Sequence, residues 1–300
     1  MIPEPRQILC IGSVLWDIIG RTRENIDSRG DVPGQITRLP GGVALNIAMT
    51  LARFGVTPVL LSAVGEDPEG HELIAAVRAL GCVTDLVHRM PDLPTDAYMA
   101  IEGPGGLVAA IADAHSLEKV DDAILAPLAD GRLGSAQQPY EGIIALDGNL
   151  TADLLGRIAV SPLFARAKLR IAPASPGKAE RLLPIMGHAG TTLYVNRQEA
   201  GYLCGHSFDD SRSAAEGLIA AGAARVLVTD GPRDSSDAMR GAETLTLPAR
   251  AIAVRRVTGA GDTFMAAHLL AEGAGMSRLD GLAHAQETAA RYVANEEDHP

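Results

Sequence analysis

Residues 41–64 read GGVALNIAMTLARFGVTPVLLSAV, and their pattern decides the fold class. The glycine pair Gly41 and Gly42 opens a stretch in which Leu45, Ala48, Met49 and Ala52 recur at helical spacing, and Gly55 stands where a helix stops. Residues 57–64 are then strand-like, and 68–80 form an amphipathic helix ended by Gly81. Alternating β and α units predict a mainly parallel sheet covered by helices. Upstream, 7–14 reads as a buried first strand. The apolar run 8–19 is expected to be this strand rather than a leader, because Gly12 and Asp17 interrupt it and Glu4 with two prolines precedes it. Downstream the alternation continues with strands at 142–146, 168–172, 192–195 and 226–229. Helices are expected at 151–158, 178–186, 198–204, 211–221, 263–272 and 279–294. Two segments break the rhythm. Residues 21–39 lack helical periodicity, and 96–101 with 107–111 flank the turn Gly103-Pro104-Gly105-Gly106 as a hairpin. The expectation is a single α/β domain over 1–300, with a small β lid built from about 15–40 and 95–112.

Composition removes several classes of function. With 26 basic and 37 acidic residues the formal charge is −11, which opposes a nucleic-acid backbone. At 47% hydrophobic and 21% charged the chain is too apolar for disorder, yet no apolar run is long enough for a membrane helix. Cys10, Cys82 and Cys204 are odd in number and far apart, against a disulfide framework or structural zinc; a reducing cytoplasm is expected. The histidines lack metal-ligand spacing, and no G-x-S-x-G motif supports acyl transfer. The first strand is not followed by the G-x-G-x-x-G of a nicotinamide dehydrogenase.

The stretch most suggestive of chemistry is Val257-Thr258-Gly259-Ala260-Gly261-Asp262-Thr263, in which small residues precede a helix. Free amides and the dipole at a helix N-terminus attract anions, and glycine lets a phosphate approach the main chain. Asp262 there suits a base that takes a proton from an attacking hydroxyl, and equally an ordinary helix cap; both readings stand on the residues alone. Asn46, in the first turn after Gly41-Gly42, can meet a sugar hydroxyl or cap its own helix. Asp17, at a strand exit, is a ligand or a turn former. Asn196 and Glu199, three apart after a strand, fit hydrated Mg²⁺ or a plain helix start. Thr229-Asp230-Gly231 is a strand end and a turn.

In their order these landmarks resemble the ribokinase-like, or PfkB-type, family of sugar and nucleoside kinases over almost the whole chain. Residues 41–48 look like its N-terminal glycine-pair motif, and Thr258 to Thr263 look like its G-A-G-D motif. Asn196 to Glu199 look like its N-x-x-E, and Val228 to Gly231 like its nucleotide-side strand end. The resemblance implies a three-layer α/β/α body with a mainly parallel central sheet, a small β-sheet lid, and ATP-dependent phosphorylation of a primary alcohol. It gives Asp262 the role of base, and the amides of Gly259, Ala260 and Gly261 that of the hole for the transferring phosphoryl group. It assigns Asp17, Gly41, Gly42 and Asn46 to the sugar, with Asp113 and Asn149 facing a nucleoside. Lys178, Asn196, Thr229, Gly231, Gly259, Gly261 and His284 fall to ATP, and Asn196 with Glu199 to Mg²⁺ through water. Within the family, residues 34–36, 107–113, 147–150 and 256–259 look like the subgroup of pseudouridine kinases. Arg256-Val257 replaces the Asp-Thr common upstream of G-A-G-D, which leaves a monovalent-cation site open, and Gln35 stands where that subgroup often has lysine. The expected reaction is phosphorylation of a nucleoside 5′-hydroxyl, pseudouridine first. Another sugar or ribonucleoside, or a non-catalytic ligand binder, is the alternative. The unpaired lid strands 98–101 and 109–111 suggest a homodimer.

Overall fold

Along the first strand, Leu9 and Ile11 enter one hydrophobic core while Ile8 and Cys10 enter another on the opposite face. This period-2 division repeats along the parallel strands and makes the protein three layers deep. The computed structural model describes residues 7–26, 30–255 and 258–296. Its central sheet has eight strands in the order Leu245–Leu247, Ser235–Met239, Arg225–Thr229, Thr191–Asn196, Lys168–Ala172, Ile143–Asp147, Ile8–Ile11 and Pro58–Leu61. The last six run parallel; the first two are an antiparallel extension. Helices Val43–Arg53, Pro68–Ala79, Ala260–Gly273 and Arg278–Ala294 pack on one face, and Ala152–Val160, Arg197–Cys204 and Ser211–Ala220 on the other.

A second sheet has four strands in the order Gln35–Gly41, Leu15–Arg21, Ala97–Gly103 and Gly106–Asp113. Its outer pairs are antiparallel and the central pair is parallel. Trp16 ties it to the body: the indole donates to Glu69 O at 3.0 Å, while the Arg38 guanidinium lies over its ring and pairs with Glu72.

Three local expectations change. Residues 57–64 are two strands, since after Pro58–Leu61 the segment Ala63–Gly65 leaves the main sheet to pair with His88–Met90. The helix expected over 178–186 is a 3-10 turn, Pro176–Leu182, followed by the short helix Leu183–Met186. Pro176 and Pro184 supply no amide hydrogen for a continuous α-helix. The hairpin Ser235–Met239 and Leu245–Leu247 was not expected, because its buried centre is the carboxylate Asp237 rather than an apolar residue.

Candidate active site

Asp147, Ala172, Asn196 and Thr229 end four neighbouring parallel strands, and ligands of open α/β sheets gather at such carboxyl ends. A cleft of about 770 Å³ opens there, bounded by the first turns of helices Val43–Arg53 and Ala260–Gly273 and by the small sheet. It is lined by Asp17, Gly42, Asn46, Asn149, Lys178, Asn196, Glu199, Thr229, Gly231 and all of Gly259 to Asp262. Positions spread over most of the sequence are thus brought to one cavity.

Helix Ala260–Gly273 starts from Gly259, whose φ of +85° is left-handed and whose absent Cβ would meet the Tyr292 hydroxyl at 2.6 Å. That hydroxyl donates to Thr258 O at 2.9 Å and so holds the turn. Gly261 is different: a Cβ there would meet nothing within 4 Å, so the protein's own packing does not demand glycine. What it leaves open is the end of the helix facing the cleft, where amides are free for an anion. Asp262 follows, half-buried, and its Oδ2 accepts from Asn46 Nδ2 at 2.9 Å. Burial pushes its carboxyl up to about 7; the Asn46 bond opposes this, and the charges of Asp147, Glu199 and Asp17 add to it. A carboxylate poised near neutrality, beside free amides, can accept a proton while charge develops next to it.

On the opposite wall Asp17 is pushed up to about 6 by burial. Gly41 does not line the cleft but makes room for that carboxylate, since a Cβ would fall 2.1 Å from Asp17 Oδ2. Beneath them lies a network centred on Asp147 and Ser13, which carried no expected role, and it takes in Asn149 and Lys178, which did. Asp147, fully buried, accepts from Ser13 N and Asn149 N at 2.8 Å each, and Ser13 Oγ in turn accepts from Val43 N at 2.9 Å. It thereby fixes the entry to helix Val43–Arg53. Asn149 spends its side chain here, donating to Ser13 Oγ at 3.0 Å and accepting from Lys178 Nζ at 2.5 Å. Burial, with Arg181 nearby, holds the Lys178 pKa below the usual lysine range. The signal for Asp147 was its place at a strand end before Gly148-Asn149.

Asn196 and Glu199 form a reciprocal capping box: Asn196 Oδ1 accepts from Glu199 N at 2.9 Å, and Glu199 Oε2 accepts from Asn196 N at 2.8 Å. The box engages one Glu199 oxygen, and burial pushes that carboxyl up to about 7. No group of three or more His, Cys, Asp or Glu suited to a metal occurs among the described residues. The lining sets Asp17, Glu199, Asp230 and Asp262 against Lys178 and Arg197, and Arg197 is already paired with Asp230 at 2.9 Å. A divalent cation would offset the charge of a polyphosphate set against so acidic a lining.

Besides Gly41, two expected residues are not in the cleft. Asp113 is one register off: Asp17, Tyr98 and Ala112 are cross-strand partners that line it, so the pleat turns Asp113 away, its side chain 71% exposed and 3.6 Å from His115. His284 sits in helix Arg278–Ala294, and none of that helix lines the cavity. The expectation about Arg256-Val257 and a monovalent cation lies outside the described residues.

The sequence matches the pfkB family of carbohydrate kinases over residues 5–298. It is 28% identical to pseudouridine kinase of Escherichia coli (strain K12) over 270 residues, covering 88% of this chain and 82% of that protein. It is 27% identical to the bifunctional protein HldE of Rhodopseudomonas palustris (strain BisB18), covering 89% of this chain and 56% of that longer protein. Its fold superposes on Arabidopsis thaliana ribokinase complexed with ribose and ATP with a TM-score of 0.77, at 20% identity and over 96% of this chain and 92% of that one. No helix among the described residues is long and apolar enough to cross a membrane.

Proposed function

The chain belongs to the pfkB family of carbohydrate kinases, and from that premise we propose that it transfers the γ-phosphoryl group of ATP to the 5′-hydroxyl of a nucleoside, pseudouridine, in the cytoplasm. The observation that carries the reading is Asp262, half-buried at a helix N-terminus with Asn46 on its carboxylate and the open Gly261 one residue before it. Asp262 takes the hydroxyl proton as the oxygen attacks phosphorus in line, and the amides of Gly259, Ala260 and Gly261 receive the charge that spreads over the phosphoryl oxygens. Asp17, Gly42 and Asn46 hold the sugar, with the small sheet as lid. Lys178, Thr229 and Gly231, which line the cleft, would contact the nucleotide. Mg²⁺ carried with ATP would neutralise phosphate charge, held through water by Asn196 and Glu199.

The test is ADP formation with Mg²⁺ and ATP against pseudouridine, uridine, cytidine, adenosine, ribose and fructose. Preference for pseudouridine over uridine and over both sugars is expected. A second reading, a free sugar as acceptor, draws on the family description itself, carbohydrate kinase, and on the match to HldE; turnover of ribose or fructose alone would establish it.

A further inference from the structure

Three side chains form a row across the inner face of the small sheet: Asp17, its parallel-strand partner Tyr98, and Ala112 across the hairpin. All three border the cleft. Tyr98 is half-buried, yet among the described residues its ring stacks on no other ring or cation and its hydroxyl has no hydrogen-bond partner. Its neighbour across the hairpin, Ala112, offers only a methyl group. The other aromatic side chains of the cleft are engaged elsewhere: Tyr194 hydrogen-bonds His268 at 2.7 Å, and Phe264 is in the core at 3% exposure. Tyr98 is thus an amphipathic surface without a partner, beside the carboxylate assigned to the sugar.

We propose that Tyr98 distinguishes a nucleoside from a free sugar, its ring being the platform against which the base lies while Asp17 holds the ribose. The inference rests on the nucleoside reading above. Neighbouring strands are about 4.8 Å apart, so a furanose whose hydroxyls reach Asp17 carries the substituent at C1′ to the adjacent ring. A free sugar has only a hydroxyl there and leaves the ring bare. A base covers it with a planar face and offers polar edges to the phenol, which burial and the charge of Asp17 keep protonated as a donor.

Tyr98→Leu removes the aromatic face at similar bulk, and Tyr98→Phe removes only the hydroxyl. KM should be measured for pseudouridine, uridine, ribose and ATP, and nucleoside binding followed without turnover by the fluorescence of Trp16, the single tryptophan. The expected result is that Tyr98→Leu raises KM for both nucleosides about ten-fold or more, leaving ribose and ATP within about two-fold, while Tyr98→Phe keeps most of the nucleoside affinity. Equal losses for ribose and nucleosides, or no loss at all, would overturn the proposal while leaving nucleoside kinase activity in place. If the wild type binds nucleosides through Tyr98 yet phosphorylates only sugars, the nucleoside kinase reading fails and the platform stands. If it binds no nucleoside, both fail.

Discussion

Asp262 and Gly261 carry the chemistry, and each predicts something a purely structural role would not. The carboxyl of Asp262 is raised to about 7 by burial, so the free enzyme loses its base as pH falls through 7, and kcat/KM should drop about ten-fold per pH unit below it. A flat profile from pH 5 to 8 would count against Asp262 as base. The same shift has a stability sign. A carboxyl whose folded pKa lies above its unfolded value favours the folded state while protonated, and that contribution is lost as pH rises from about 4 through about 7. Asp262→Asn should therefore raise the melting temperature of the ligand-free protein at pH 8. Gly261→Ala should fold normally and gain up to about 1 kcal/mol from helix propensity, because its Cβ meets nothing, yet lose phosphoryl transfer through the methyl facing the cleft. Denaturant unfolding and ADP release on one preparation check both halves. The sequence alone could put Asp262 and Asn46 each at a helix start, but not 2.9 Å apart, since 216 positions separate them.

Among the elements, the helix that bears Asp262 packs on the sheet through apolar residues such as Phe264, Met265 and Leu269, and polar groups buried beneath it tie it down further. Glu272 near its end pairs with Arg170 on the sheet, and His268 meets Tyr194 and Arg225. Asp237, with its side chain 0% exposed, binds both Arg225 at 2.7 Å and Arg278 at 3.0 Å, joining a sheet strand to helix Arg278–Ala294. Asp237→Asn leaves two guanidinium groups uncompensated and should cost about 3–5 kcal/mol in urea unfolding, against little for an exposed pair such as Arg132–Asp130. The two arginines hold the Asp237 pKa below the usual range, so its contribution is present above about pH 4 and fades as pH falls through the lowered value. This strand also marks where legibility ended. Apolar periodicity revealed the parallel strands and long helices, but Ser235–Met239 buries a carboxylate and carries no such signal. The placement of Asp113 outside the cleft has a related cause: a continuous strand-like run contains no mark of which parity faces inward, which is set here by the register with the strand of Asp17, whose neighbour Trp16 is tied to the helix Pro68–Ala79.

For the whole molecule, the mainly parallel sheet could be read from the alternation of elements, whereas the three layers and the lid were implied by the family resemblance. On the outer face of the small sheet, opposite Asp17 and Tyr98, Ile36, Met99, Ile101 and Ile111 are 78%, 46%, 40% and 68% exposed. The homodimer expected from unpaired lid strands loses part of its ground, because Ala97–Gly103 is paired on both sides and only Gly106–Asp113 keeps an open edge of the hairpin; we infer instead that a second copy covers this apolar face. Ile111→Lys should then convert a dimer to a monomer in light scattering; a wild-type monomer at working concentration would remove the idea. The account as a whole turns on one transfer. Wild type and Asp262→Asn should be incubated with ATP, Mg²⁺ and pseudouridine, with the product phosphate located by ³¹P–¹H correlation. Phosphate on the 5′-oxygen with wild type, and a loss of about 10²–10⁴-fold in kcat with nucleotide binding intact in the variant, is the predicted result. Near-normal turnover by Asp262→Asn, or phosphate on no hydroxyl of the nucleoside, would contradict it.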